Sequence, residues 1–276
     1  MASSTLFPSE NLANLFDEHI AALTGYSPCC ITVTGSGGKT TAVERLARCW
    51  ADQGQSVLVT TSTRLAHPSA HSYPFEHFHP LLPDAHGLPL PQVGQVVLFG
   101  AEAKGKLTAP PQEIITELTK RFDRVLVEGD GARGLPLKIH SERDPVVPVA
   151  TELVISVVGL EALWKTLDDR VMYLSDRFRQ LADPDSSTVT PQVYRTLLEH
   201  PEGLFKGSGD LPVIVLCNQS DAILPHDTEC VLESMTDNWQ GRSFDIICGS
   251  LQQDSIFHHA HVAGNSCPEG AYRESV

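Results

Sequence analysis

Apolar residues along the chain fall into short unbroken runs, separated by stretches that repeat at helical spacing. Residues 9–24 place Leu12, Leu15, Phe16, Ile20 and Leu23 on one face of a helix, with Ser9 as its cap and Gly25 as its stop. The run Cys29-Cys30-Ile31-Thr32-Val33-Thr34 leads into the glycine-rich turn Gly35 to Gly38. Residues 42–53 then repeat at helical spacing through Val43, Leu46, Ala47 and Trp50, with Gly54 as terminator. A second buried-strand run covers Ser56 to Thr61. Strand, turn, helix and strand in that order make a βαβ unit, whose crossover requires parallel pairing.

Further strand runs occupy Val96 to Phe99, Arg124 to Val127, Leu153 to Val158 and Val213 to Cys217, with Asp245 to Cys248 as the last. Pro110 and Pro111 open a helix with Ile114, Ile115, Leu118 and Phe122 inward, and Thr190-Pro191 opens another. Residues 66–95 carry many Pro and His without a period and read as an irregular excursion. Residues 258–276 read as a loose tail. There is no internal repeat. The alternation predicts one α/β domain over 1–276, built on a doubly wound, mostly parallel sheet. Ligands of such sheets sit at the carboxyl ends of the strands.

Composition narrows the partners. Of 276 residues, 20 are Lys or Arg and 34 are Asp or Glu, a formal net charge of −14, which disfavours nucleic acid and anionic membrane surfaces. An anion must therefore be held locally, by backbone N–H groups and a few placed cations. The seven cysteines are odd in number and form no C-x-x-C pair, which fits reduced thiols in a cytoplasmic protein. The first residues lack the basic stretch and apolar run of a signal peptide. No run approaches the roughly 18 apolar residues of a membrane span.

The chemistry concentrates at strand ends. Gly35-Ser36-Gly37-Gly38-Lys39-Thr40-Thr41 links a strand to a helix, where backbone N–H groups can wrap a phosphate at the positive helix end. Lys39 would reach the β- and γ-phosphates and the Thr40 hydroxyl would bind Mg²⁺. Val33 stands where the long form of this motif has its first Gly, so the loop is the shorter kind and resembles that of Mur ligases. Glu128 and Asp130 follow a buried strand and are candidates to bind Mg²⁺ or orient a water, with either able to lead. Arg133 could stabilise a transferring phosphate or pair with nearby carboxylates. Asn218-Gln219-Ser220-Asp221 resembles the N-K-x-D element of GTPases, in which the Asp reads guanine. Gln219 replaces the Lys, and a plain strand-end turn fits the same residues. Gly249-Ser250 falls where GTPases keep a base-contacting loop.

Other features have two readings as well. His67, His71, His77, His79 and His86, with His258, His259 and His261, are either solvated loop residues or metal ligands. Thr60-Thr61-Ser62-Thr63-Arg64 either lines the phosphate site or caps its strand.

Taken in order, TVTGSGGKTT, VLVTTSTRL, VLVEGDGARGLPLKIHSERDPVVP, LVISVVGLEAL and VIVLCNQSD resemble the YqeC family over residues 28–250, most distinctively between Glu128 and Pro148. Its members are described as selenium-dependent hydroxylase accessory or selenium cofactor biosynthesis proteins. The resemblance implies a P-loop NTPase fold and a context in maturation of a selenium-containing molybdenum hydroxylase. It carries over Gly35 to Thr41 as nucleotide residues, Glu128 and Asp130 as metal neighbours, and Asp221 with Asn218 as base contacts. The expected protein is a Mg²⁺-dependent ATPase or GTPase whose partners are the nucleotide and a molybdenum hydroxylase or its cofactor-assembly proteins; a homodimer is compatible. Lys39, Asp130 and Glu128 would carry catalysis by positioning and charge neutralisation. The alternatives are a small-molecule kinase, an ATP-dependent ligase, or a non-hydrolysing nucleotide-dependent chaperone or switch.

Overall fold

The computed structural model describes residues 12–26, 29–81, 87–182 and 186–264. Helix α1 (Leu12–Thr24) precedes β1 (Cys30–Gly35), α2 (Lys39–Asp52), β2 (Val57–Thr61), β3 (Arg64–Ala66), β4 (His77–Pro80), β5 (Val96–Ala103) and β6 (Lys106–Thr108). Then come α3 (Gln112–Leu118), β7 (Arg124–Glu128), β8 (Leu137–Lys138), β9 (Leu153–Gly159), β10 (Met172–Tyr173), α4 (Ser175–Leu181) and α5 (Pro191–Glu199). The chain continues through β11 (Val213–Asn218), α6 (Pro225–Thr236), β12 (Phe244–Ser250) and β13 (Ser255–Val262).

One mixed sheet of eleven strands runs β13-β12-β11-β9-β1-β7-β2-β5-β6-β3, with β4 also on β5. From β12 to β5 every pairing is parallel. The doubly wound, mostly parallel α/β architecture expected from the sequence is therefore present. Apolar runs form its centre because a parallel strand covered by helices on both faces has no wet side. Successive residues serve opposite faces. On β9, Ile155 joins the α2 side with Leu46 and Trp50, while Val154 packs with Val193, Leu197 and Val231 of α5 and α6. On β7, Leu126 faces α2, while Val125 and Val127 meet Ile115, Leu118 and Phe122 at α3.

Helix α1 closes over α2 through Phe16 and Ile20. Asp17 accepts from Trp50 Nε1 at 3.0 Å and from Arg124 at 2.9 Å, and Arg124 lies 4.8 Å over the Trp50 ring. Gly25 stops the helix at φ 72°. The cap assigned to Ser9 lies outside the described residues.

The structure corrects two expectations. Asp245–Cys248 is not the last strand, because residues from 255 to 262 return antiparallel to it as β13, so the tail is ordered structure at least to Val262. The excursion at 66–95 also contains β4, whose His77–Pro80 pair parallel with Val97–Gly100 of β5. Both strands lie at or near sheet edges and are half exposed. Backbone hydrogen bonds hold them there, and those leave no apolar run to read. A further two-stranded sheet, β8 with β10, was not foreseen either.

Cys29, Cys30, Cys217, Cys230 and Cys248 are free thiols, and Cys267 lies outside the described residues. Burial pushes the Cys30 and Cys217 thiols up to about 12, so they act as small hydrophobes rather than nucleophiles. Among the described residues no helix is long and apolar enough to cross a membrane.

Candidate functional site

Strand β1 lies between β7 and β9 and delivers its carboxyl end to the centre of the sheet edge. There the chain turns through Gly35, Gly37 and Gly38 at φ 91°, 76° and 113°. A Cβ at Gly35 would stand 2.2 Å from the Val157 carbonyl oxygen, and one at Gly37 would stand 2.3 Å from the Gly159 nitrogen. Only glycine passes. The first bond within α2 runs from Ala42 N–H to the Gly38 carbonyl at 2.9 Å. The N–H groups of Gly38, Lys39, Thr40 and Thr41 are thus unpaired within the helix and face outward from its positive end. No side chain caps this end.

Two acidic side chains meet the loop. Register places Glu128, the last residue of β7, beside Val33. Its Oε2 accepts from Thr40 Oγ1 at 3.1 Å. Burial pushes the Glu128 carboxyl up to about 7; the Lys39 charge opposes that rise, and Asp130 adds to it. Asp130, two residues on, is fully buried. Its Oδ2 accepts from Gly35 N–H at 3.2 Å, Lys138 Nζ at 2.6 Å and His140 Nε2 at 2.9 Å. Its Oδ1 has no hydrogen-bond partner and faces Lys39 Nζ at 3.2 Å. Lys39 itself donates to the Gly35 carbonyl at 2.6 Å, folded back on its own loop. Burial would raise the Asp130 pKa, but the Lys39 charge, the His140 bond and the Lys138 charge hold it well below the usual carboxylate range. The two carboxyls therefore sit in opposite protonation regimes within one cluster.

Lys138, His140 and Asp144 were not singled out from the sequence. Lys138 is fully buried and also bonds the Gly131 carbonyl, at 2.8 Å, and the Asp144 carboxylate. His140 Nδ1 lies 3.0 Å from the Gly203 carbonyl oxygen. The available signal was alternation: Lys138 and His140 interleave with Leu137 and Ile139 in a short buried segment, where a polar residue needs a partner.

On the other side of the α2 N-terminus, the end of β11 closes a second region. Asn218 donates Nδ2 to the Gly37 carbonyl at 2.8 Å and accepts from Leu251 N–H at 3.0 Å. Gln219 turns through φ 68°. Its Oε1 is buried without a hydrogen-bond partner. Asp221 is exposed. With Gly38, Thr41, Glu161 and Ser250, these residues line a cavity of about 140 Å³. Asn218 and Asp221, separated from the glycine loop by most of the chain, are thus brought beside it, as is Ser250.

A strap over the loop was also unforeseen. The Leu135 carbonyl accepts from Gly37 N–H at 3.0 Å, and the Pro136 carbonyl accepts from Ser36 Oγ and Gly159 N–H at 2.9 Å each. Of the threonine-rich segment, Thr61 Oγ1 donates to the Glu128 carbonyl at 2.9 Å and accepts from Thr63 N–H at 2.9 Å, which is a strand-end cap. His67 and His71 pair with Glu102 and Glu44, and His77 pairs with Gln95. His79 reaches the Gly87 carbonyl. His19 and His261 share Asp245, with His259 at 3.0 Å from His19, and His258 lies on the same strand. Among the described residues no group of three His, Cys, Asp or Glu is arranged to hold a metal ion. His86 lies outside them. The donors that could share a cation are the oxygens of Thr40 and Glu128, a hard pair suited to Mg²⁺ rather than to softer metals.

A family model described as YqeC protein matches residues 31–176. A protein of Escherichia coli (strain K12), described as uncharacterized protein YqeC, is 31% identical over 190 residues, covering 65% of this chain and 71% of that one. No solved structure matches.

Proposed function

The chain belongs to the YqeC family, and on that premise and the site geometry we propose that it is a Mg²⁺-dependent nucleoside triphosphate-binding protein of P-loop type that hydrolyses ATP or GTP. The observation carrying the reading is the meeting of Lys39, Thr40, Glu128 and Asp130 at a glycine-lined helix N-terminus, with Asn218 and Asp221 beside it. In this reading the N–H groups of residues 38–41 bind phosphate oxygens. Lys39 leaves the Gly35 carbonyl for the phosphates, since an ammonium gains more from an anion than from a neutral carbonyl. Asp130 stays behind, held by Lys138 and His140, and fixes the loop through Gly35 N–H. Thr40 and Glu128 would hold Mg²⁺, whose charge neutralises the phosphates. Glu128, held ionised by the cation it would bind, can orient an attacking water. Asp221 faces the base. The same proposal extends to the context of this activity, maturation of a selenium-dependent molybdenum hydroxylase, on the strength of the resemblance in sequence.

Calorimetric titration with ATP, GTP and their non-hydrolysable analogues, in Mg²⁺ and then in EDTA, tests it. Binding that needs Mg²⁺ and weakens at least about tenfold in Lys39→Ala supports the reading. Nucleotide binding unchanged by Lys39→Ala overturns it. The fold should survive that change, because Lys138 and His140 still compensate Asp130.

A further inference from the structure

Behind the strap lies a cavity of about 270 Å³, lined by Arg133, Leu135, Met172, Tyr173 and Arg177. We propose that it binds a small second ligand bearing an oxyanion, a carboxylate or a phosphate, gripped by Arg133 and Arg177 beside the bound nucleotide. As a second-substrate site it rests on the phosphate-loop reading above.

Four observations carry this. Arg133 is exposed and makes no ion pair among the described residues of a chain that is acidic overall. It stands at φ 54°, an uncommon conformation for a side-chain-bearing residue and one that clusters at ligand sites. Its guanidinium lies 5.1 Å over the Tyr173 ring, a stack that leaves the edge of the fork open to a bidentate oxyanion. Arg177 directs a second cation to the cavity, and its Nε–H is buried without a hydrogen-bond partner. Its contact with Glu202 is long, at 3.5 Å, and Glu202 is also paired with Lys206.

The acidic residues of the wall offset this charge only in part, since one of the two is already paired with an arginine outside the cavity. Asp176 is taken by Arg179 at 2.8 Å, and Asp169 accepts from Ser175 Oγ at 2.7 Å. Met172, Leu135 and the Tyr173 ring supply apolar surface for the body of the ligand. At about 270 Å³ the space falls just under the range of about 300–1,000 Å³ for ligand sites, so it suits a small metabolite rather than a second nucleotide.

The cavity is coupled to the loop by two backbone and side-chain links. Leu135, in its wall, holds Gly37 through its carbonyl. Tyr173 pairs in register with Lys138, which holds Asp130 under the loop.

Titration with inorganic phosphate and, separately, malonate tests the site, read on the side-chain Nε–Hε NMR signals of Arg133 and Arg177. The signals are assigned with Arg133→Gln and Arg177→Gln. Saturable movement of both signals with one common midpoint, weakened about tenfold for the remaining arginine in either variant, is expected. The arm that saturates at lower concentration tells a phosphate-bearing ligand from a carboxylate-bearing one. Signals that stay still, or drift linearly with both probes, overturn the site. Mg²⁺-nucleotide binding measured on the same samples separates the two readings. Silent arginines with intact nucleotide binding remove the cavity alone. A saturable cavity in a chain that binds no nucleotide removes its role as a second-substrate site together with the phosphate-loop reading.

Discussion

Asn218 donates its side-chain amide to the carbonyl of Gly37 across 181 positions of sequence, at 2.8 Å, and so ties the end of β11 to the glycine loop. A Cβ at Gly38 would come within 2.3 Å of the same amide nitrogen, so loop and amide are fitted to each other. The Asn218 carbonyl oxygen meanwhile holds Leu251 N–H, which joins a third strand end to the pair.

Asn218→Ala removes both bonds and leaves a buried carbonyl and a buried N–H unpaired. A loss of about 2–4 kcal/mol in unfolding free energy is expected, from two buried groups at roughly 1–3 kcal/mol each with partial relaxation. Denaturant unfolding measures it. Nucleotide affinity, determined well below the new midpoint, should fall as well. A variant as stable as the parent would show that water replaces the amide.

The raised Glu128 carboxyl makes stability depend on pH in a definite sense. Its folded pKa of about 7 exceeds the ordinary value of 4.5, so between those values the native chain keeps a proton that the unfolded chain has released. Stability from this group is full below about pH 4.5 and declines as pH rises to 7, by about 3 kcal/mol in all. Glu128→Gln should flatten that decline when unfolding is followed in EDTA from pH 5 to 8. A slope that persists in the variant would assign it to another group.

Asp130 acts in the opposite sense and in a lower window. Its pKa is depressed, so its contribution is present above the ordinary carboxylate value of 3.8 and is lost as pH falls further. Removing its buried partner exposes this directly. Lys138→Met leaves Asp130 and Asp144 short of a cation in a buried setting. A loss of about 3–5 kcal/mol is expected. Thermal and denaturant unfolding check it, and a change within experimental error would mean that the site is wetter than the packing shows.

Base choice is tested at the cavity beside Asp221. Asp221→Asn swaps an acceptor-only side chain for one that also donates, and should reduce any preference for GTP over ATP about tenfold with little effect on stability, since the residue is exposed. Competition binding of the two nucleotides gives the ratio. An unchanged ratio would remove Asp221 from contact with the base.

Hydropathy alone was sufficient to place the parallel centre of the sheet. Runs such as Val57–Thr61 and Leu153–Gly159 are apolar on both faces because helices cover both, and no other fold class uses such runs alternating with amphipathic helices. The glycine loop was legible for the same local reason: its residues follow one another, and their conformations depend on one short turn. Edge strands β4 and β13 were not legible, because main-chain pairing with a neighbour holds them and histidines fill their exposed positions. Only the tertiary structure could decide what Glu128 and Asp130 each do. They are two residues apart with similar chemistry, yet one meets a threonine hydroxyl in a dry pocket and the other meets a buried lysine and a buried histidine. Those partners, Lys138 and His140, are set there by a small sheet that pairs β8 with a strand more than thirty residues away. Charge and burial are properties of the folded neighbourhood, so protonation, and with it the division of labour between the two acids, is absent from the sequence until the chain is closed.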